Sequence, residues 1–317
     1  PNVDEDVNSE GDLVDSVQVV HAGTEHEYTI WASSGSGKPN VMFDKNDTQS
    51  GLIVDAGAAG DDIYLGSGDD TIYLGDSHAG GFDVNPDDPK LINAQNVVEN
   101  IFSKGSDLSH LQDGVESGSF KNISADSNAY LDLGHGGDGN DKIFGQNGVD
   151  IMFGGKGDDY LNGGNDNDGL RGGTGNDILD GGSGNDILIG GLGDDILTGG
   201  TGEDIFKWVD QGVDNSLDNG TDTIKDFTVG EDLIDLTEII GGDDDVINMG
   251  DLLSHIRVSE NGDDLTLSIT DDSGNEHDIV VEGAVTSFGL ENADFSNQSE
   301  VLTKLLNDQM FKLDDIT

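Results

Sequence analysis

Between Gly136 and Lys207 the chain repeats a nine-residue frame eight times without a gap. Written G-G-x-G-x-D-x-U-x, with U a large apolar residue, the frame puts Asp at its sixth position in every copy. These are Asp141, Asp150, Asp159, Asp168, Asp177, Asp186, Asp195 and Asp204. The eighth position is apolar throughout: Ile143, Met152, Leu161, Leu170, Leu179, Leu188, Leu197 and Phe206. Only Gln146 and Asp166 break the glycine frame. A period of nine is too short for a helical repeat and suits a short strand followed by a tight turn. Glycine at the first, second and fourth positions permits positive φ and turns carbonyls inward. The apolar eighth residue then points into the interior of a roll.

One repeat makes half a coil, so each stacks on the next but one at the strand spacing of about 4.8 Å. Each edge of the roll thereby collects a column of four Asp side chains. Two carboxylates about 5 Å apart repel by roughly 1 kcal/mol in water, and by several times that at an effective dielectric near 20. One large apolar side chain per nine residues contributes about 2 kcal/mol. Ordering the same nine residues costs roughly 1 kcal/mol or more each in backbone entropy. Without a counterion the repeats are therefore expected to be unfolded. A hard divalent cation between turns would reverse the repulsion and satisfy the inward carbonyls. All-oxygen ligands in flexible geometry favour several Ca²⁺ ions over Zn²⁺ or Mg²⁺. Binding and folding then form one equilibrium.

Composition points the same way. The 317 residues carry 66 acidic and 13 basic side chains, for a net charge of −53. Such a chain repels nucleic acid and acidic membrane surfaces and attracts cations. It has no cysteine, hence no disulfide framework and no thiolate metal site. No apolar run approaches the roughly 18 residues of a membrane helix, and the expected state is a monomer. The chain starts at Pro1 without a signal peptide, and it reads as a piece of a longer protein.

The expected architecture is all-β: a parallel β-roll flanked by mostly β-strand segments, with one or two short helices. Residues 1–16 read as an acidic linker, and 17–130 as a β-rich flank. In that flank VQVVH, YTIWA, NVMF and LIV are strand signals. SGSGKP at 34–39 lacks the spacing and the Ser or Thr of a phosphate loop and reads as a turn. GAAGDDIYL and GSGDDTIYL, at 57–74, are weathered copies of the repeat that put Asp62 and Asp70 at the metal-type position, eight residues apart rather than nine; they read equally as an imperfect calcium-bearing turn and as a plain strand-turn-strand. Asp88, Pro89 and Gly105 bracket a helix near 89–104 whose apolar stripe should pack on a sheet. Residues 131–207 form the roll.

In the last part, 208–317, the spacing predicts strands on either side of Gly230, a hairpin turning at Asn261-Gly262, and a strand at 278–282. Asn297 and Glu300 form a capping pair ahead of an apolar stripe at Val301, Leu302, Leu305, Leu306 and Met310. Strands of 208–290 are expected to cap the final coil, because an open edge invites aggregation. The pairs Asp222/Asp226 and Asp232/Asp235 could hold further calcium, but read first as solvated strand ends. Ile151, Ile178, Ile187, Ile196 and Ile205 stand at the outward seventh position, so flanking segments are expected to cover the outer faces of the later coils.

The nonapeptides resemble those of RTX (repeats-in-toxin) proteins, which leave the cell by type I secretion. The segment EDIFKWVDQGVDNSLDNGTDTIKDFTVGEDLIDLTEII is similar to the terminal targeting domain of giant RTX adhesins. The resemblance implies a secreted or cell-surface bacterial protein, with the type I machinery as partner. It also implies an uncleaved signal at roughly 298–317, a stretch that reads equally as a helix docked on its domain. The tail of a secreted hydrolase and an adhesive ligand site in 17–130 remain alternative readings. The chain has no H-E-x-x-H or G-x-S-x-G motif and its seven His are scattered, so catalysis within it is not expected. Thr174 and Thr201 stand nearly alone among the repeats, which argues against an ice-binding array.

Overall fold

The structure is a computed structural model. It describes residues 131–209, 220–240, 249–270 and 275–312, with 17–21, 28–32, 40–42, 52–55, 62–64, 68–74 and 98. The expected linker at 1–16 lies outside the described residues, as does most of the helix at 89–104. Of that helix Val98 is described, and it is helical and buried.

The eight repeats form β8 (Lys142–Asn147), β9 (Val149–Lys156), β10 (Tyr160–Asn165), β11 (Gly169–Thr174), β12 (Ile178–Ser183), β13 (Ile187–Leu192), β14 (Ile196–Thr201) and β15 (Ile205–Lys207). Each pairs in parallel with the strand two along, so Leu161 lies between Ile143 and Leu179, and Leu170 between Met152 and Leu188. The result is a two-sided parallel solenoid. All eight apolar residues at the eighth position are fully buried, and they form the seam between the two sheets.

Both sheets extend beyond the repeats. The sheet built by the even-numbered repeats (the even side, with β9, β11, β13 and β15) has nine strands, and the sheet built by the odd-numbered repeats (the odd side, with β8, β10, β12 and β14) has twelve. On the N-terminal side, β7 (Leu131–Asp138) pairs with β9, and β6 (Thr71–Tyr73) with β8. Below them the odd side adds β4 (Leu52–Asp55), β2 (Tyr28–Ala32) and an antiparallel β1 (Val17–His21). The even side adds β5 (Asp62–Tyr64) and β3 (Asn40–Met42). At this junction two residues exchange roles. Gly134 occupies an eighth position, and a Cβ there would lie 3.2–3.3 Å from Ile143 and Leu74. Leu74, aligned with Gly145 at a first position, is buried in the space that Gly134 leaves.

On the C-terminal side, β16 (Thr221–Ile224) stacks on β14 and β17 (Leu233–Asp235) on β15, both in parallel, making a last coil without nonapeptides. The expected hairpin is β18 (Ile256–Asn261) with β19 (Asp264–Thr270). Its two linking residues are Gly262, at φ +72°, and Asp263. β20 (Glu276–Val281) joins that hairpin to β16. The helices are short: α1 (Thr237–Ile240), α2 (Met249–His255), α3 (Ala284–Ser287) and α4 (Gln298–Asn307). The apolar face of α4 buries Val301, Leu302 and Leu305, and β21 (Phe311–Lys312) then pairs with β17. Asn297 and Glu300 meet side chain to side chain, at 2.8 Å, rather than capping the helix backbone. No helix among the described residues is long and apolar enough to cross a membrane.

The outward isoleucines divide by sheet. Ile151 and Ile187 on the nine-stranded sheet are buried, with Phe153, Arg171, Ile189 and Lys207 beside them. Val98 borders a recess shared with Ile187, Ile205 and Leu233, so the expected helix segment helps to cover this face. On the twelve-stranded sheet Ile178 and Ile196 are 42% and 39% exposed. The expectation that flanking segments cover the later coils therefore fails on that side.

Candidate metal centre

The sixth-position Asp residues lie where each turn re-enters a strand, and every one is at most 2% exposed. The backbone N–H of each donates to Oδ1 of the Asp one coil further on. Asp141 donates to Asp159, Asp159 to Asp177 and Asp177 to Asp195 on the odd side, at 2.7–2.8 Å. On the even side Asp150 donates to Asp168, Asp168 to Asp186 and Asp186 to Asp204, at 2.8–2.9 Å. Oδ1 is thereby used by the fold. Oδ2 of Asp141, Asp159, Asp168, Asp177, Asp186 and Asp204 is buried with no hydrogen-bond donor.

The first glycine of each repeat faces that bare oxygen. A Cβ added at Gly163 would fall on Asp168 Oδ2, and within 2.5 Å of the Gly181 carbonyl oxygen from the next coil. A carboxylate oxygen and a carbonyl oxygen thus converge on a space that any side chain would fill. The fourth position needs glycine for a different reason. Gly157, at φ +121°, would drive a Cβ onto the carbonyl oxygen of Gly139. Gln146 and Asp166 are tolerated at φ +76° and +81°, nearer the left-handed basin that an L residue can occupy.

A second ladder runs beside the first in the opposite sense. At position five, Asn140 Oδ1 accepts the Asp158 N–H, Asp158 that of Asn176, and Asn176 that of Asp194, each at 2.9 Å. Asn167 and Asn185 do the same for Asn185 and Glu203 at 2.9–3.0 Å. Asn or Asp fills this position in six of the eight repeats. That enrichment was visible in the sequence, but the position was read as variable.

Both carboxylate columns are longer than four. The Asp70 N–H donates to Asp141 Oδ1 at 2.6 Å, so Asp70 opens the odd column. Asp62 does not open the even one. It pairs with Leu133, one residue past the Asp132 that aligns with Asp150. The inward residue of that weathered repeat is Ile63, which is fully buried.

At the far end the Asp195 N–H donates to Asp222 Oδ1 at 2.9 Å, and the Asp204 N–H to Asp232 Oδ1 at 3.0 Å. These two residues, read as solvated strand ends, are instead buried column termini. Their second oxygens meet protein donors. Asp222 Oδ2 accepts Trp208 Nε1–H at 2.7 Å and lies 2.9 Å from His277 Nε2, and Asp232 Oδ2 accepts the Thr228 N–H at 2.7 Å. Asp226 takes the N–H groups of Gly199 and Gly200, and Asp235 pairs with the buried Lys207.

Burial is the main force on the column carboxyls. It drives Asp141, Asp177 and Asp186 up to about 8, Asp159 to about 7 and Asp204 to about 6. Asp150 and Asp168, also through burial, lie well above the ordinary carboxylate range. Neighbouring column members raise the values further, and the N–H bonds to Oδ1 offset part of the rise. The column is thus acceptor-rich, dehydrated and short of positive charge. Among the described residues no three Asp, Glu or His side chains gather into a preformed cluster. A cation would rest on column carboxylates and the glycine carbonyls between them. That all-oxygen set fits calcium, which supplies the charge that separates the stacked carboxylates.

Residues 53–78, 135–170 and 171–206 match the family described as RTX calcium-binding nonapeptide repeat (4 copies). A comparison with curated proteins gave no match. Among solved structures, the chain is similar to the AlgE6R3 subunit of a mannuronan C5-epimerase from Azotobacter vinelandii. That match has 28% identity over 41% of this chain and 73% of the other, with a TM-score of 0.29. It is also similar to the extracellular lipase LipA from Serratia marcescens, at 16% identity and a TM-score of 0.23. That match spans 81% of this chain and 40% of the lipase. Similarity at these scores transfers no activity to this chain. The family match and the solenoid agree on the same residues, and over those three segments the chain carries repeats that match the RTX calcium-binding nonapeptide family.

Proposed function

We propose that this chain is the calcium-dependent folding and type I secretion module of a large secreted bacterial RTX adhesin, and that it carries no catalytic site of its own. The observation behind the reading is the pair of buried Asp columns, whose second oxygens lack donors. In a calcium-poor cytosol the ionised columns repel, and the chain stays unfolded enough to thread an exporter. In a calcium-rich exterior the ions fold the emerging coils and oppose return.

The C-terminal part fits a signal that folds after export. Its helix α4 is amphipathic, and its buried face becomes part of the cap once the chain is outside. His277 is engaged with Asp222 in the buried column terminus, a structural placement rather than a catalytic one.

Circular dichroism of chelated protein, with calcium then added, tests the reading. β content should rise cooperatively with calcium. Equal β content with and without calcium would sink it. Export of a passenger fused to 208–317, compared with a fusion that ends at residue 297, tests the secretion element. Undiminished export of the shorter fusion would remove it.

A further inference from the structure

The twelve-stranded sheet ends on β18. An edge strand leaves every second residue with its N–H and C=O turned away from the sheet, open to any extended chain. The antiparallel register sets Arg257 beside Ser268, Val258 beside Leu267 and Ser259 beside Thr266. Val258 is of the outward-turned kind, because both of its backbone groups are taken on the side away from β19. Its N–H donates to Gln298 Oε1 at 2.7 Å, and its carbonyl accepts from Gln298 Nε2–H at 2.8 Å.

One primary amide thus supplies the acceptor and the donor that the backbone of a thirteenth strand would supply. The second Nε2 hydrogen goes to the Phe295 carbonyl at 2.6 Å. Two carbonyls on the nitrogen and one N–H on the oxygen leave a single way to place the amide, with both of its donors used. The neighbouring outward carbonyl on the edge, that of Ile256, accepts from Arg257 Nη1 at 2.9 Å. Side chains therefore close the edge where Ile256 and Val258 are buried, and Ser259, Glu260 and Asn261 beyond them are exposed.

Gln298 is also the first residue of α4, whose Val301, Leu302 and Leu305 pack into the cap core. Those apolar residues bring the helix to the cap whatever stands at position 298. The amide adds a directional pair of bonds that ties α4 to one residue of the strand.

We propose that Gln298 is a latch: its amide stands in for a thirteenth strand, so that the sheet edge is closed only while α4 is docked, and helix and edge open as one unit ahead of the strand itself. With α4 away, the Val258 N–H and carbonyl lose their partners together and are left to pair with another extended chain, a second copy included. The latch does not depend on the secretion reading. Where an exporter holds 298–317, as that reading has it, the edge stays open until release.

Hydrogen exchange of the full chain in calcium, followed residue by residue, tests the latch. Gln298→Met keeps the length of the side chain and its helix propensity and removes both polar atoms. The Val258 amide should exchange about tenfold faster in the variant or more. The Ser259 amide, which faces β19, should stay within about twofold of the wild type. Unchanged exchange at Val258 overturns the proposal.

If Gln298→Met does not reach the wild-type circular dichroism spectrum, the wild type in low denaturant decides. Its Val258 amide should lose protection together with those of Leu302 and Leu305, and before that of Ser259. Protection at Val258 that outlasts that of Leu302 and Leu305 overturns the latch. So does a wild-type Val258 amide with no protection, or loss of all four amides in a single step.

Discussion

Acidification should fold the chelated roll. The column carboxyls have folded pKa values above the ordinary 3.8, because burial disfavours their charged form. A raised folded pKa contributes stability that is complete below pH 3.8 and is lost as pH rises through the folded value. For Asp141, Asp177 and Asp186 that loss ends near pH 8. Each of the three loses about 1.4 kcal/mol per pH unit in that window. Between pH 5 and pH 8 they lose together on the order of 12 kcal/mol, which is comparable to the whole stability of an ordinary domain at roughly 5–15 kcal/mol.

Far-UV circular dichroism in chelator, stepped down from pH 8 to pH 5, reads the effect directly. The lower limit stays above the isoelectric point near 4.1, where the chain would lose its solubilising charge. We expect β signal to appear on acidification with a steep, multi-proton midpoint. In calcium the same series should be flat over most of this range, since the ions already neutralise the columns. A chelated spectrum that stays unfolded from pH 8 to pH 5 refutes the argument that carboxylate charge is what keeps the roll open. So does one that is folded throughout.

Gly163→Ala should cost the roll several kcal/mol and raise the calcium concentration at half-folding by tenfold or more, because its Cβ would fall on Asp168 Oδ2. Gly262→Ala meets nothing within 4 Å and should cost about 1 kcal/mol, for its positive φ alone; equal shifts in calcium titrations of the two variants would count against the cradle. Ile187→Ser should lower stability in calcium by about 2–3 kcal/mol. Ile196→Ser, on the open face, should stay within about 0.5 kcal/mol, and thermal melts that rank the two the other way would contradict the assignment of the covered face.

The nonapeptides announced the coil, its inward residues and its carboxylates because each property repeats at one fixed offset. Where the offset changes, the sequence fell silent. Asp222 and Asp232 follow their column partners by 27 and 28 residues instead of 18. Only the stacked coil shows that they continue the columns. Asp62 was misplaced because two adjacent Asp residues precede Ile63, and which apolar residue turns inward is decided by packing. The isoleucines at position seven are identical in sequence on both sides. Burial of Ile187 against exposure of Ile178 depends on segments far away in the chain, of which Val98 is one. Asp132 gave no signal because the glycines that mark its counterparts are missing.

The two hydrogen-bond ladders make the coil a unit of insertion. At position six a coil donates its N–H forward, and at position five, Val149 apart, it offers an oxygen forward, so the coils present the same pair of couplings at both ends. The ends are closed by residues that imitate a coil on one side only. Asp69 and Asp70 do so below, and Asp222 with Thr221 above. Removing 18 residues such as 172–189 would return each remaining carboxylate, glycine and apolar residue to an equivalent neighbour. Removing nine would exchange the two sheets. Asp222, with its partners Trp208 and His277, would then close the even column instead of the odd one, and the covered face would carry the residues meant for solvent. The length of such a roll can therefore drift in evolution, but only in whole coils.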